Sequence, residues 1–196
     1  MIRLEPLGDR AVRFAIWPEV GRPALLARLR ALAGVEDAVV TEGHAMVVWR
    51  DAAMEVPADV LDGLDRAEVE PREHAIDVIY DGPDLDEVAA MIGRTRDEVI
   101  ALHAASACAV SFVGFLPGFA YLRGLDPILA GVPRRDVPRA RVEAGAVAVA
   151  GGFTGIYPFA SPGGWRVIGR APGWAPLEGD HARLAVGDRV RFVRIG

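Results

Sequence analysis

This chain of 196 residues has one cysteine, Cys108, and no lysine, so its 22 basic residues are all arginine. A single thiol closes no internal disulfide and assembles no cysteine metal site, and a reducing cytoplasm is the expected compartment. Cys108 lies in the apolar run ACAVSFVGF and reads as a buried, inert thiol. Excess positive charge is lacking too: the formal net charge of -5 argues against a nucleic-acid surface, which needs clustered cations. Nowhere do ~18 uncharged apolar residues follow one another. The opening MIRLEPLGDRAVRF has no charged leader followed by an apolar block, so neither membrane insertion nor export is expected.

Several chemical signatures are missing as well. The four histidines, His44, His74, His103 and His181, have no second histidine or carboxylate at the spacing of a helical metal site, and each is expected to be structural or solvated. There is no G-x-x-x-x-G-K-[ST], and the glycine-rich run from Gly151 to Gly155 lacks the lysine that would neutralise nucleotide phosphates. A self-contained NTPase is therefore disfavoured. No G-x-S-x-G elbow occurs. Ser161 is followed by Pro162, which removes the backbone donor an oxyanion hole would use there.

The pattern along the chain predicts two domains, 1–72 and 73–196. Residues 2–16 read as two short strands broken at Gly8-Asp9. A helix follows, with Pro23 in its first turn, Leu25, Leu29 and Leu32 on one face and Gly34 as its stop. Strands Val35 to Thr41 and His44 to Trp49 read as a hairpin around Glu42-Gly43, and a weaker helix is expected over Ala58 to Ala67. This order, ββαββα, predicts a small α+β domain ending near Glu70-Pro71-Arg72. Then come a strand over His74 to Tyr80 and two helices opened by capping boxes, Asp84 with Glu87 and Thr95 with Glu98. The second helix carries Val99, Leu102 and Ala105 as its apolar stripe. Beyond Ala107, short strands separated by Gly and Pro turns run to Val190–Ile195, which predicts a mostly-β second domain built as a barrel-like sheet.

What the chain does have is one stretch, from Phe112 to Arg170, dense in glycine, proline, arginine and aromatic residues. Such a composition gives rigid, shaped loops on a β scaffold, where binding groups are displayed. Arg134, Arg135, Arg139 and Arg141 stand between prolines. An arginine fork suits a carboxylate or phosphate, while a solvated strand edge or a GC-rich codon bias would yield the same residues. Arg139 and Arg141 alternate and so share one face of a strand. The candidate substrate-binding set is Arg139, Arg141, Gly151, Gly152, Thr154, Tyr157, Ser161, Gly163, Gly164 and Trp165. It combines hydroxyls and an aromatic wall with glycines that let a ligand approach the main chain. No residue is assigned a catalytic role, and no metal site is expected.

The same stretch resembles the allophanate hydrolase subunit 1 family, also called the KipI or carboxyltransferase C/D family. The resemblance is carried by FLPGFAYL from Phe115, LDPILA from Leu125, PRRDVPRARVEAGAV from Pro133 and AGGFTGIYPFASPGGWRVIGR from Ala150. It extends to LGDRAVRF near the start and VGDRVRFVRI near the end, and so covers essentially the whole chain. It implies a small ferredoxin-like α+β domain followed by a cyclophilin-like β-barrel. It further implies a subunit of an ATP-dependent 5-oxoprolinase that opens 5-oxoproline to glutamate, inactive alone and working beside a subunit 2 protein and a LamB/YcsF-type protein. ATP would be the co-substrate of that complex, bound by this or another subunit. Two other activities accompany the family: inhibition of a histidine kinase, and the carboxyltransferase step of a biotin-dependent urea carboxylase. The latter would need biotin from another protein, since no A-M-K-M attachment sequence occurs here. The chain departs from the family pattern at Glu143, where Pro is usual, at Ala146, where Ser is usual, and at Phe153, where Gln is usual. The last two replacements remove hydrogen-bonding groups beside the glycine loop.

Overall fold

Alternation in the first residues makes a hairpin. Strands β1 (Leu4–Leu7) and β2 (Ala11–Ala15) pair antiparallel around Gly8, whose φ of 71° supplies the turn. The computed structural model describes residues 3–17, 20–41, 43–52, 55–64, 71–179 and 181–196, and the chain divides into two units, Met1–Glu70 and Pro71–Gly196. In the first unit α1 (Arg22–Arg30) starts with Pro23 in its first turn and buries Leu25 and Leu29. Strands β3 (Val35–Val40) and β4 (His44–Trp49) then complete an antiparallel sheet of order β1-β2-β4-β3. Glu42, in the expected turn between them, lies outside the described residues. Phe14, Val47 and Trp49 of the sheet pack in one core with Leu25 and Leu29 of the helix.

The helix expected over Ala58 to Ala67 is not formed in its described part. Residues 58–63 are successive turns, with the Val60 N–H donating to the Pro57 carbonyl and the Asp62 N–H to that of Asp59. Gly63 at φ 65° ends the run. Pro57, Asp59, Asp62 and Gly63 are turn formers, and Val60, Leu61 and Leu64, although spaced as on one helix face, are buried from a run of turns. Residues 65–70 lie outside the described set. The described order, ββαββ, also differs from the βαββαβ order that the ferredoxin-like description denotes: β1–β2 and β3–β4 are hairpins, and α1 crosses between them.

The second unit runs β5 (Glu73–Val78), α2 (Leu85–Ile92), α3 (Arg96–Ala105), β6 (Cys108–Val113), β7 (Ala120–Arg123), α4 (Pro127–Ala130), β8 (Arg139–Val142), β9 (Ala146–Ala150), β10 (Phe153–Ile156), β11 (Ser161–Gly163), β12 (Arg166–Arg170), β13 (Leu177–Glu178), β14 (His181–Ala182) and β15 (Arg189–Arg194). Seven of these strands form one sheet of order β12-β9-β10-β7-β6-β15-β5. Its two edges come together where Ile79 and Arg170 exchange backbone hydrogen bonds of 2.9 Å, so the sheet is nearly closed and barrel-like. α3 begins with the expected capping box, Thr95 and Glu98 bonding reciprocally. α2 does not: the Asp84 side chain caps nothing and is used elsewhere. The buried stripe of α3 is Val99, Ile100 and His103, and Ala105 is exposed. Among the described residues no helix is long and apolar enough to cross a membrane.

Strand β9, Ala-Val-Ala-Val-Ala, is buried at every position. Its period of two sorts it onto two layers: Val147 and Val149 join the main core, while Ala146, Ala148 and Ala150 face a second cluster with Phe119, Tyr157 and Trp165. Alanine on that side leaves room for large rings.

Candidate functional site

The second layer builds the site. Phe119 packs its ring edge-to-face against Tyr121, Trp165 and Tyr157, at 4.9, 5.4 and 5.5 Å between centroids. These four rings, with Phe115, Arg134, Pro138, Pro162, Gly163 and Gly164, line a cavity of about 230 Å³. Tyr157 and Trp165 are buried, whereas Phe115 is 60% exposed. Phe115 also has φ 71°, the only non-glycine at positive φ among the described residues. Such strain persists only where the surrounding structure enforces it, and it marks functional segments.

Both phenols of the cavity stay protonated at neutral pH. Burial pushes Tyr157 up, against the Trp165 backbone N–H and the charges of Arg134 and Arg139, which lower it. Burial raises Tyr121 likewise, with the Arg134 charge opposing. Each is therefore available as a hydroxyl donor beside a cation.

Of the residues expected from the sequence, Tyr157, Gly163, Gly164 and Trp165 meet here. A Cβ on Gly163 would overlap the Tyr157 hydroxyl, so glycine is required for the tyrosine to lie against β11. Ser161 is on the same strand but does not line the cavity, and its Oγ is buried without a hydrogen-bond partner. The others are elsewhere. Thr154, expected on the ligand-facing wall, is fully buried on the opposite side of β10. Its hydroxyl donates to the Ala148 carbonyl at 3.0 Å and lies 2.9 Å from His103 Nε2, whose Nδ1 is 2.8 Å from the Tyr80 hydroxyl. Parity explains the split, since Thr154 and Ile156 point to one face and Phe153 and Tyr157 to the other. Gly151 and Gly152, at φ 56° and 86°, are the two-residue hairpin turn between β9 and β10 and do not line this cavity.

Arg139 and Arg141 do share a face, but it lines a second cavity of about 350 Å³, and both are already paired. Arg139 grips Asp84 with two hydrogen bonds of 2.6 Å, and Arg141 grips Glu143 at 2.7 and 3.2 Å. Asp84 is 2% exposed and also accepts from Arg135 at 2.9 Å and from the Val167 backbone N–H at 2.7 Å. Burial pushes its carboxyl up, but the hydrogen bonds from Arg139 and Val167 and the two arginine charges outweigh it, leaving the pKa below the usual range.

Sequence reasoning missed Phe115, Phe119, Tyr121 and Pro138, and it weighed Arg134 as an anion binder without placing it in the candidate set. The signal available was the two-residue spacing of Phe119, just before β7, and Tyr121 on it, which puts both rings on one side of the extended chain. Phe153, at the position where the resemblance expected Gln, stacks on Trp165 at 6.5 Å and lies under the Arg123 guanidinium at 4.5 Å, so it is part of the aromatic layer. The buried reactive groups are held inert. Burial pushes the His103 imidazole down to about 3 and the Cys108 thiol up to about 12. Among the described residues no three His, Cys, Asp or Glu side chains are grouped to hold a metal ion.

Comparison with known proteins gives a consistent picture. Residues 2–181 match the model of the family "carboxyltransferase domain, subdomain C and D". The chain is 42% identical to the B component of 5-oxoprolinase from Bacillus subtilis (strain 168) over 133 residues, which span 65% of this chain and 55% of that protein. It is 36% identical to the corresponding 5-oxoprolinase component of Escherichia coli O157:H7 over 205 residues, spanning 98% of this chain and 90% of that one. The crystal structure of TTHA0988 superposes with a TM-score of 0.80 at 37% identity, covering all of this chain and 40% of the TTHA0988 chain. The chain thus spans about half of the first relative and two fifths of the structural neighbour.

Proposed function

The chain belongs to the carboxyltransferase domain, subdomain C and D family, and from that premise we propose that it is a subunit of an ATP-dependent 5-oxoprolinase that opens 5-oxoproline to glutamate. The carrying observation is its identity of 36% with the B component of a 5-oxoprolinase across 98% of its own length. The site supports the reading. A cavity of about 230 Å³ walled by aromatic rings, with two phenols and one guanidinium, suits a small ring bearing a carboxylate. Ring opening also needs an activated nucleophile, and the candidates here are withdrawn: His103 uses both nitrogens on Tyr80 and Thr154, and the Cys108 thiol is buried and raised.

This chain therefore binds and orients the lactam while a subunit 2 protein and a LamB/YcsF-type protein complete the reaction. ATP enters as the energy-supplying co-substrate. In the Gly151-Gly152 turn the Gly151 N–H is already committed to the Val132 carbonyl at 2.7 Å and is not a donor to spare for a phosphate. The test is reconstitution from the three purified proteins. The full mixture should form glutamate from 5-oxoproline only with ATP, and omitting this chain should abolish it. Turnover by this chain alone, or by the other two without it, would contradict the proposal. The family description favours one second reading, a carboxyltransferase component, which would instead show turnover dependent on an added biotinylated carrier.

A further inference from the structure

One charged group at the cavity is left over by the fold. Arg134 makes no hydrogen bond or ion pair among the described residues, although it lines the cavity with Tyr121 and Tyr157. Its backbone is nonetheless clamped on both sides. The Pro133 carbonyl accepts from Arg166 Nε at 3.1 Å, and the Arg135 N–H donates to the Gly164 carbonyl at 2.8 Å. Arg135 is held further by Asp84, and Arg166 Nη1 reaches Glu87 at 2.6 Å. Two neighbouring arginines are thus spent on fixing the segment that carries the third.

A free guanidinium on a fixed backbone, next to two protonated phenols and above aromatic walls, has the chemistry of an anion anchor. We propose that Arg134, with the hydroxyls of Tyr121 and Tyr157, binds the carboxylate of a small cyclic acid whose ring lies against Phe119 and Trp165. The carboxylate accepts the guanidinium fork and one or both phenol protons, and the ring takes the apolar wall. No proton need move, because both phenols are already protonated donors. A phosphate is disfavoured: the remaining lining is aromatic, proline and glycine, which offers no second cation for its extra charge. The inference rests on the aromatic cavity being the substrate site of the 5-oxoprolinase reading, and it assigns the residue that selects acids there.

The experiment is a calorimetric titration of the full chain with two acid–amide pairs: 5-oxoproline with 5-oxoprolinamide, and cyclopentanecarboxylate with cyclopentanecarboxamide. The wild type should bind each acid at least about tenfold tighter than its amide, the range expected for charge-assisted hydrogen bonds. Arg134→Gln should bring acid and amide within about twofold of each other, by weakening the acid and leaving the amide unchanged, with the circular dichroism spectrum preserved. Equal binding of acid and amide by the wild type, or an undiminished preference in Arg134→Gln, would overturn the anchor. An Arg134-dependent preference for both acids, combined with no turnover in the reconstituted mixture, would uphold the anchor and remove the 5-oxoprolinase reading.

Discussion

The two cavities of the second unit differ in what their arginines already hold. In the larger one Arg139, Arg141 and Arg170 each meet a carboxylate of the fold: Asp84, Glu143 and Asp81. In the smaller one Arg134 meets none among the described residues. A guanidinium saturated by an internal acid has spent its donors on structure, whereas a free one on a fixed segment keeps them for a ligand. Counting arginines in a loop therefore says little about binding. What decides is where the carboxylates fall, and Asp84 is far away in sequence from Arg135 and Arg139, the two arginines it neutralises.

The sharpest way to break the comparison is at Asp84. Asp84→Asn should destabilise the chain by about 3–5 kcal/mol, because Arg139 and Arg135 lose the buried charge that balances them; chemical denaturation measures it. The pH dependence follows from the same group. Its carboxyl is held below the ordinary value in the fold, so its contribution is present above about pH 4 and fades as the pH falls through the folded value. The variant should lose that part of the acid-induced decline. A loss below about 1 kcal/mol would mean that the pairing is not structural.

Thr154→Val is the next in size. It removes the hydroxyl that meets His103 Nε2 and leaves a fully buried imidazole nitrogen unsatisfied, at a cost of about 1–3 kcal/mol. The dissociation constant for 5-oxoproline should be unchanged, since the side chain lies on the core face of β10. Unaltered stability with weakened binding would move the site to that face. Arg141→Ala is the smallest. The residue is exposed and, among the described residues, pairs only with the exposed Glu143 two positions on, so melting temperature and ligand affinity should both stay within experimental error. A marked loss of affinity would make the larger cavity the binding site.

Much of this architecture was legible. The first hairpin, α1, the β3–β4 hairpin, the Thr95 capping box and the barrel strands follow from alternation, helical spacing and turn residues, all of which are local. The turns after Pro57 were misread because Val60, Leu61 and Leu64 are buried as a helix would bury them, while Asp59, Asp62 and Gly63 carry the opposing signal. Asp84 and Glu87 have capping-box spacing, but the distant Arg139 and Arg135 compete for the carboxylate and win it through charge. Site residues divided the same way. Tyr157, Gly163, Gly164 and Trp165 are adjacent in sequence and in space. Tyr121 and Arg134 arrive from β7 and from the loop before β8, a convergence that no local pattern records. Thr154 could have been excluded in advance, because an odd separation from Tyr157 along an extended chain puts the two on opposite faces.

The central claim is that the aromatic cavity, through Arg134, is where the substrate carboxylate lies, and a crystal structure with 5-oxoproline or cyclopentanecarboxylate bound tests it most directly. The account predicts the carboxylate oxygens within about 2.7–3.2 Å of the Arg134 guanidinium and a Tyr121 or Tyr157 hydroxyl, with the ring against Phe119 and Trp165. A ligand bound against Arg139 and Arg141 in the larger cavity, with the aromatic cavity unchanged, would contradict it.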